Sequence, residues 1–211
     1  VRELLPGQCA EFDANTGHLS LRRYWYLTDH EHPDDFAATV RRLRELLLDA
    51  IHRQLVADVP VASLLSGGLD SGILASVADA AFAEAGKTLH TFSVGYKDNK
   101  RYFRATKFQP GADAPFIRLM NENLQATHHW VTLDTPQLVQ ALYRAVDARD
   151  LPGMADVDAS LLEFCRCIKP HATVALSGEC ADEIFGGYPW YRDPAVREKY
   201  GFPWAQSTAY R

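Results

Sequence analysis

Apolar positions change their spacing along the chain, and each spacing predicts a different element. Near the amino end, the turn sequence Asn15-Thr16-Gly17 separates residues 8–13 from an aromatic-rich segment, 19–27, and the two segments predict a β-hairpin. After Pro33, apolar residues recur every three or four positions up to residue 55, a spacing that is typical of one amphipathic helix.

From residue 61 onward, short apolar runs alternate with helical patterns. We predict strands over 61–65, 89–94, 129–133 and 172–176, and helices over 71–85, 113–123, from 135 onward, and 159–168. Asp113 and Thr135 stand at the expected N-cap positions of two of these helices. Strands that alternate with helices pair in parallel through right-handed crossovers, so the sequence predicts an α/β fold with a parallel sheet and helices on both faces.

Composition narrows the class of protein. The chain has 211 residues, 47% of them apolar and 23% charged, which excludes disordered and low-complexity classes. Its 22 basic and 27 acidic residues give a net charge of −5, which argues against a nucleic-acid partner. We expect no membrane partner, because no apolar run is long enough to span a bilayer. The four cysteines form no CxxC pair, which favours a reducing, cytoplasmic location.

A glycine-rich loop, Ser66-Gly67-Gly68-Leu69-Asp70-Ser71, follows the first predicted strand of the sheet and opens the next helix. Glycines let backbone amides approach an anion, and a helix N-terminus with serine hydroxyls favours phosphate oxygens. The Asp70 carboxylate conflicts with a bare phosphate, and a Mg²⁺ ion bridging the two resolves the conflict. The alternative interpretation is a capped strand-to-helix turn that binds nothing.

A second loop, Ser177 to Tyr188, follows the last predicted strand and carries the three acids Glu179, Asp182 and Glu183. Taken alone, it is equally consistent with a solvated acidic helix start. In an open parallel sheet, however, ligands bind outside the carboxyl ends of the strands, and both loops are predicted to lie there. The two loops together therefore predict one site for a phosphate group and a metal ion.

The two loops resemble the synthetase domain of glutamine-hydrolysing asparagine synthetases, members of the ATP pyrophosphatase group with an adenine nucleotide alpha hydrolase-like fold. Residues 4–25 are similar to the tail of the amino-terminal glutaminase domain of those enzymes, and residues 91–95 to their second nucleotide-contacting strand. The resemblance implies a hairpin remnant and linker of the glutaminase domain over 1–30, and an ATP-binding synthetase domain over 31–211. We expect a piece of a longer protein that is truncated at its carboxyl end.

The resemblance also implies which residues hold ATP. Those expected at the pyrophosphate portion are Ser66, Gly67, Gly68, Asp70 and Ser71. Those expected to contact the adenosine portion through backbone groups are Leu65, Val94, Ser177 and Gly178.

Further roles follow from the same resemblance. Asp70 and Asp182 are implied as Mg²⁺ ligands, and Glu179 as the catalytic residue needed to form the activated intermediate. Tyr188 is implied at the border of the aspartate pocket. Cys180 departs from the family, which usually has glycine there, and a positive φ at that position would strain a cysteine.

The implied reaction is the ATP-dependent amidation of aspartate. The side-chain carboxylate attacks the α-phosphorus of ATP, pyrophosphate leaves, and glutamine-derived ammonia displaces AMP from β-aspartyl-AMP. The implied partners are aspartate, ATP and the glutaminase domain of the parent chain, and a homodimer is compatible with the sequence. Two alternatives stay open: a related synthetase that adenylates another carboxylate, of the β-lactam synthetase or peptide cyclase type, and a non-catalytic nucleotide-binding module.

The neighbouring histidines His128 and His129 receive no role from the sequence. They fall at the start of a predicted strand, where successive side chains lie on opposite faces of the sheet. A catalytic or metal-binding role is the alternative, but this position favours ordinary strand residues, and we assign neither histidine a role.

Overall fold

A computed structural model describes residues 2–106 and 109–194 of the chain. It divides into two compact units, Val1–Leu43 and Arg44–Arg211. The helix α1, Phe36–Gln54, crosses the division. It begins after Asp35, whose carboxylate accepts a hydrogen bond of 2.7 Å from the Ala38 amide. The predicted carboxyl-terminal limit of the synthetase domain lies outside the described residues, and the predicted domain boundary near residue 30 stays a prediction.

The first unit contains the predicted hairpin. Its strands, β1 (Gln8–Asp13) and β2 (His18–Arg23), pair antiparallel, with Asp13 opposite His18 and Gln8 opposite Arg23. The Asp13 carboxylate accepts hydrogen bonds in the turn between them, at 2.8 Å from the Asn15 amide. The second strand stops four residues before the predicted end at residue 27, because β1 begins at Gln8 and offers no further strand partner beyond Arg23.

The second unit is built on a four-stranded sheet. Its strands are β3 (Val61–Leu64), β4 (His90–Tyr96), β5 (Thr127–Leu133) and β6 (Val174–Leu176). They lie in the order β5-β4-β3-β6, and every neighbouring pair is parallel. The predicted parallel α/β sheet is confirmed. The first three residues of the central strand β3 are buried and Leu64 is half-buried, which explains why its sequence is a continuous short run without alternation.

Helices cover both faces of this sheet. They are α2 (Leu69–Glu84), α3 (Asn99–Tyr102), α4 (Ala114–Asn123), α5 (Thr135–Arg149), α6 (Ala155–Ile168) and α7 (Ala181–Phe185), with a 3-10 turn at Pro189–Tyr191. On one face Phe164 and Ile168 of α6 pack on Phe92. On the other, Leu74 of α2 packs on Val61, so the two apolar layers enclose the sheet. This arrangement confirms the predicted fold class.

Two helix starts differ from the predicted caps. Asp134, not Thr135, is the N-cap of α5, and its carboxylate accepts a hydrogen bond of 2.9 Å from the Gln137 amide. An ionised carboxylate caps well because the helix N-terminus is positive, and Thr135 becomes the first helical residue. Asp113 holds the N-cap position of α4, but its side chain caps no helix amide.

Among the described residues, no helix combines the length and the apolar character needed to cross a membrane.

Candidate functional site

The site is organised by the carboxyl end of the central strand β3. The next residue, Leu65, continues the sheet, since its amide donates a hydrogen bond of 2.8 Å to the Phe92 carbonyl. The buried Ser93 hydroxyl donates to the Leu65 carbonyl from the neighbouring strand. These bonds fix the backbone at the point where it leaves the sheet and enters the glycine-rich loop.

Hydrogen bonds between the serines close the glycine-rich loop. The hydroxyls of Ser66 and Ser71 lie 2.9 Å apart, and the Ser66 amide donates to the Ser71 hydroxyl over 3.2 Å. Ser71 is buried and its hydroxyl also donates to the Gly68 carbonyl over 3.1 Å. The loop therefore folds back over the first turn of α2 and places backbone amides beside the positive end of that helix.

The second loop touches the first at a glycine. A Cβ atom added to Gly178 would lie 2.9 Å from the Ser71 nitrogen and 3.0 Å from the Asp70 Cβ. Only a residue without a side chain allows this approach. The strand register brings the loops together, because β6 pairs directly with β3 and ends at Leu176, opposite Ser63.

Gly67 is the predicted site residue that faces away from the cleft. Its φ is +84°, in the left-handed region, and an added Cβ would lie 2.9 Å from the Asp113 carbonyl oxygen. It packs against the start of α4, close to the buried Ile117, and does not line the cleft. The glycine is thus required by backbone conformation and packing.

The second loop holds Cys180 in a strained conformation. Its φ is +72°, and it stands at the N-cap of α7, the short helix that carries Asp182. The positive φ on which the predicted strain depends is therefore present. The preceding residue is held by a local bond, in which the Glu179 amide donates to the Ser177 hydroxyl over 3.2 Å.

The carboxylates of the site influence one another. Burial raises the pKa of the Asp182 carboxyl, and the negative charges of Asp70 and Glu183 raise it further, against the opposing charge of Arg192. The Tyr188 hydroxyl donates a hydrogen bond of 2.9 Å to Glu183, which raises the pKa of Tyr188 to about 12. Asp70 and Asp182 come from different loops, so this electrostatic coupling exists only in the folded chain.

These loops surround a cleft of about 540 Å³. Every predicted site residue except Gly67 lines it. The cleft wall also includes residues for which we predicted no binding role: Tyr96, Asp113, Phe164 and Glu183. Tyr96 ends β4 at the same edge, a position that could have drawn attention to it. Phe164 gave no such signal, since its helical spacing indicates only a core position.

The architecture defines the class of protein. An open parallel sheet, covered by helices on both faces, carries a polar cleft at the carboxyl ends of its central strands, as ligand-binding α/β domains do. Comparison with known families agrees: the asparagine synthase family model matches residues 42–211. The chain belongs to the asparagine synthase family.

Curated relatives share this family. The chain is 48% identical, over 212 aligned residues, to glutamine-hydrolysing asparagine synthetase 3 of Bacillus subtilis, covering all of this chain and 34% of that protein. It is 36% identical to asparagine synthetase 1 of the same organism, over 74% of this chain and 22% of that protein. The maize asparagine synthetase is 30% identical, over 90% of this chain and 32% of its own length. The chain thus spans about a third or less of these relatives.

Among solved structures, the fold is similar to glutamine-dependent NAD⁺ synthetase from Acinetobacter baumannii in complex with ADP. The TM-score is 0.41 and the identity 16%, over 84% of this chain and 31% of that one. A likeness at this level carries no information about ligand or activity.

Proposed function

We propose that this chain forms the ATP-binding, carboxylate-activating part of an enzyme that amidates aspartate to asparagine. The observation that carries the proposal is the contact between the two loops at Gly178, which unites hydroxyls, helix amides and carboxylates in one cleft. Family membership supplies the reaction class, and the cleft supplies groups suited to a nucleotide triphosphate.

The glycine-rich loop is the proposed pyrophosphate cradle. The amides at the start of α2 and the hydroxyls of Ser66 and Ser71 can donate to phosphate oxygens, and Gly68 leaves the approach free of side chains. Negative charge accumulates on pyrophosphate as it leaves. Fixed donors around it therefore stabilise the transition state more than bound ATP.

Mg²⁺ is the proposed companion of the nucleotide, held by Asp70 and Asp182. The donor set fits, because both ligands are carboxylates and this hard cation prefers oxygen. The fit is also electrostatic: Asp70 raises the pKa of the Asp182 carboxyl, and a cation between them removes that repulsion. When bound, Mg²⁺ would neutralise charge on the phosphates.

The adenosine portion is proposed to lie against the edge of the sheet. Leu65 directly follows β3 and Val94 lies within the neighbouring strand β4, whereas Ser177 and Gly178 begin the facing loop, and all four line the cleft. Leu65 is 1% exposed and its backbone is fixed on both sides, so it offers a rigid wall. Backbone amides and carbonyls at such an edge can form hydrogen bonds with an adenine ring, so no charged side chain is needed there.

The proposed chemistry has two steps. An oxygen of the aspartate side-chain carboxylate bonds to the α-phosphorus, and the bond to the pyrophosphate oxygen breaks. Ammonia then attacks the acyl carbon, loses a proton, and AMP leaves with the former carboxylate oxygen. Glu179, exposed on the second loop, is proposed to promote formation of the intermediate and to accept the ammonia proton. Tyr188 is proposed at the amino-acid side, with its phenol kept protonated by Glu183.

The remaining parts of the proposal concern the parent protein. The hairpin exposes Leu19 at 56%, Leu21 at 58% and Trp25 at 55%, and a two-stranded hairpin is marginally stable alone. These features support its assignment to the end of a glutaminase domain that supplies ammonia. A cytoplasmic location and a homodimer remain part of the proposal.

The test is exchange of labelled pyrophosphate into ATP by the full-length protein with Mg²⁺. We expect exchange with aspartate and none with glutamate or without an amino acid. Glu179→Gln should suppress exchange and spare ATP binding, whereas Glu84→Gln, at the exposed end of α2, should change neither. Exchange that requires another carboxylate would refute aspartate as the substrate, and ATP binding without any exchange would refute the adenylation step.

A further inference from the structure

A cluster of three histidines lies at the opposite edge of the sheet from the proposed ATP cleft. His90 is the first residue of β4, and His129 lies on β5 directly opposite Phe92, two residues further along. His171 comes from the turn between α6 and β6, before the amino end of that strand. Three separate chain segments therefore bring one imidazole each to the amino edge of the sheet.

The spacing of the imidazole nitrogens is suited to a metal ion. The His90 Nδ1 atom lies 2.8 Å from the His129 Nε2 atom. One nitrogen from each of the three rings lies within 4.8 Å of the other two. Zinc–nitrogen bonds of about 2.0–2.1 Å place tetrahedral ligand atoms about 3.4 Å apart, between these two values. Changes in nitrogen–nitrogen distance of at most about 1.4 Å, from 4.8 Å to about 3.4 Å, and of about 0.6 Å, from 2.8 Å, would complete the coordination, and rotations of the side chains can supply them.

Contacts between aromatic rings hold the His129 imidazole in place. The Phe92 ring stacks on the His129 ring, with the ring centroids 4.5 Å apart and the planes at 11°. The His171 ring also contacts His129, with the ring centroids 4.3 Å apart. Burial lowers the pKa of the His129 imidazole, and the nearby His171 and His90 lower it further. Neutral imidazole is the form that ligates metals.

The cluster also has an open side. His90 and His171 line a pocket of about 610 Å³, whose wall includes the carboxylate-bearing Asp58. Three imidazoles with an accessible fourth position are a common zinc donor set, in which water or a carboxylate completes the tetrahedron. Hard cations such as Mg²⁺ prefer oxygen, so this nitrogen set selects a different class of ion from the acidic cleft.

We propose that His90, His129 and His171 bind a transition-metal ion of the zinc class, at a site separate from the ATP cleft. The ion would connect β4, β5 and the turn before β6, three segments that are far apart in sequence. Since it would bind the folded chain and not the separated ligands, it should also stabilise the fold.

The first experiment titrates the metal-depleted full-length protein with Co²⁺ and follows its visible ligand-field absorption. We expect one saturable site with nitrogen ligands, from which equimolar Zn²⁺ displaces Co²⁺. Removing a residue that hydrogen-bonds a metal ligand without touching the metal weakens metal binding about 10- to 100-fold. Removing a ligand itself, in His171→Gln or His129→Gln, should therefore weaken Co²⁺ binding by at least about 100-fold. His52→Gln is the matched control, because His52 is exposed on α1, where its ring bonds the Leu48 carbonyl of the same helix.

Equal Co²⁺ affinity in the wild type and in His171→Gln and His129→Gln would overturn the proposal, as would the absence of saturable binding. His171 is exposed in a turn, so its replacement leaves the core intact, and unfolding in EDTA should match the wild type.

A second measurement needs no variant. Histidine modification by diethyl pyrocarbonate is mapped by mass spectrometry with Zn²⁺ alone as the added probe. At a free Zn²⁺ concentration about ten times the Kd, His171 should react about tenfold more slowly, while His52 reacts at an unchanged rate. Equal rates at His171 with and without Zn²⁺ would overturn the proposal independently of any variant's folding.

Discussion

Replacing Gly178 with alanine should separate the two loops of the cleft. The new Cβ would meet the Ser71 nitrogen at 2.9 Å, whereas ordinary contacts begin at 3.4 Å, so the loops must move apart by about half an ångström. The neighbours are backbone and a Cβ atom, which cannot rotate away. The φ of Gly178 is not in the left-handed region, so alanine brings a steric penalty alone.

The magnitude follows from overpacking. Forcing one carbon into a filled site costs about 1–3 kcal/mol. If the strain is relieved by opening the cleft, affinity for an ATP analogue should fall about 5- to 150-fold, since about 1.4 kcal/mol corresponds to tenfold. If it is relieved by loss of folded stability instead, Tm should fall by about 2–4 °C per kcal/mol for a domain of this size.

The assay is calorimetric titration with a non-hydrolysable ATP analogue and Mg²⁺, together with thermal unfolding. The control is Gly111→Ala, because an added Cβ at Gly111 meets nothing within 4 Å. We expect the control to match the wild type in both measurements. Wild-type affinity and wild-type Tm in Gly178→Ala would show that the loops do not meet as described.

Three further substitutions test the packing around the site. Glu163→Ala should lower the free energy of unfolding by about 1–3 kcal/mol in denaturant unfolding, because it removes a residue only 5% exposed whose carboxylate pairs with Arg144 at 2.7 Å and Arg166 at 3.1 Å. The two guanidiniums are half-exposed, so the loss should be smaller than for a fully buried ion pair. An unchanged free energy of unfolding would contradict the burial of this ion pair. Cys180→Gly should stabilise the fold by about 1 kcal/mol, whereas Cys180→Ala, which keeps the strained φ, should not. Glu183→Gln should lower the pKa of Tyr188 from about 12 towards 10, as measured by NMR of labelled tyrosine. In the wild type, the protonated phenol adds stability below pH 10 that is lost as pH rises through about 12, and the variant should lack this contribution. An unchanged pKa would contradict the hydrogen bond.

The local elements were predictable because their signals are local. The apolar run that forms β3 lies between Pro60 and a glycine pair, and its length alone indicates a buried strand. Each loop of the cleft also had an ordinary structural interpretation, and the cleft was predictable only because serines, glycines and acids follow two strands whose carboxyl ends lie at one edge of the sheet. Gly67 illustrates the limit of that reasoning: its backbone conformation, not a ligand, accounts for the glycine.

Features that depend on strand order were not predictable from the sequence. Nothing near residue 174 indicates that β6 pairs with β3, yet this pairing brings Gly178 against Ser71. The histidine cluster depends on register in the same way. Strand alternation predicts that His128 and His129 lie on opposite faces, and in the structure they have different partners: His128 bonds the Thr91 hydroxyl at 2.9 Å, whereas His129 contacts His90. The contact with His90 depends on the pairing of β4 with β5, which the sequence alone does not show.

The two N-caps show a different limit. Asp134 and Thr135 are adjacent and both are good capping residues, so the sequence alone does not decide between them. The backbone decides, because Asp134 is extended, with φ −114° and ψ 160°, while Thr135 is already helical. Such a difference of one residue is set by the preceding strand's exit from the sheet.

The central proposal is that the cleft joins an aspartate carboxylate oxygen to the α-phosphorus of ATP. To test it, the full-length protein is supplied with ATP, Mg²⁺, ammonia and aspartate that carries ¹⁸O in its side-chain carboxylate. The ¹⁸O content of the AMP is then measured by mass spectrometry. We expect each AMP formed with asparagine to carry one ¹⁸O on its phosphate. Asparagine formed with unlabelled AMP, or with ADP in place of AMP, would contradict it.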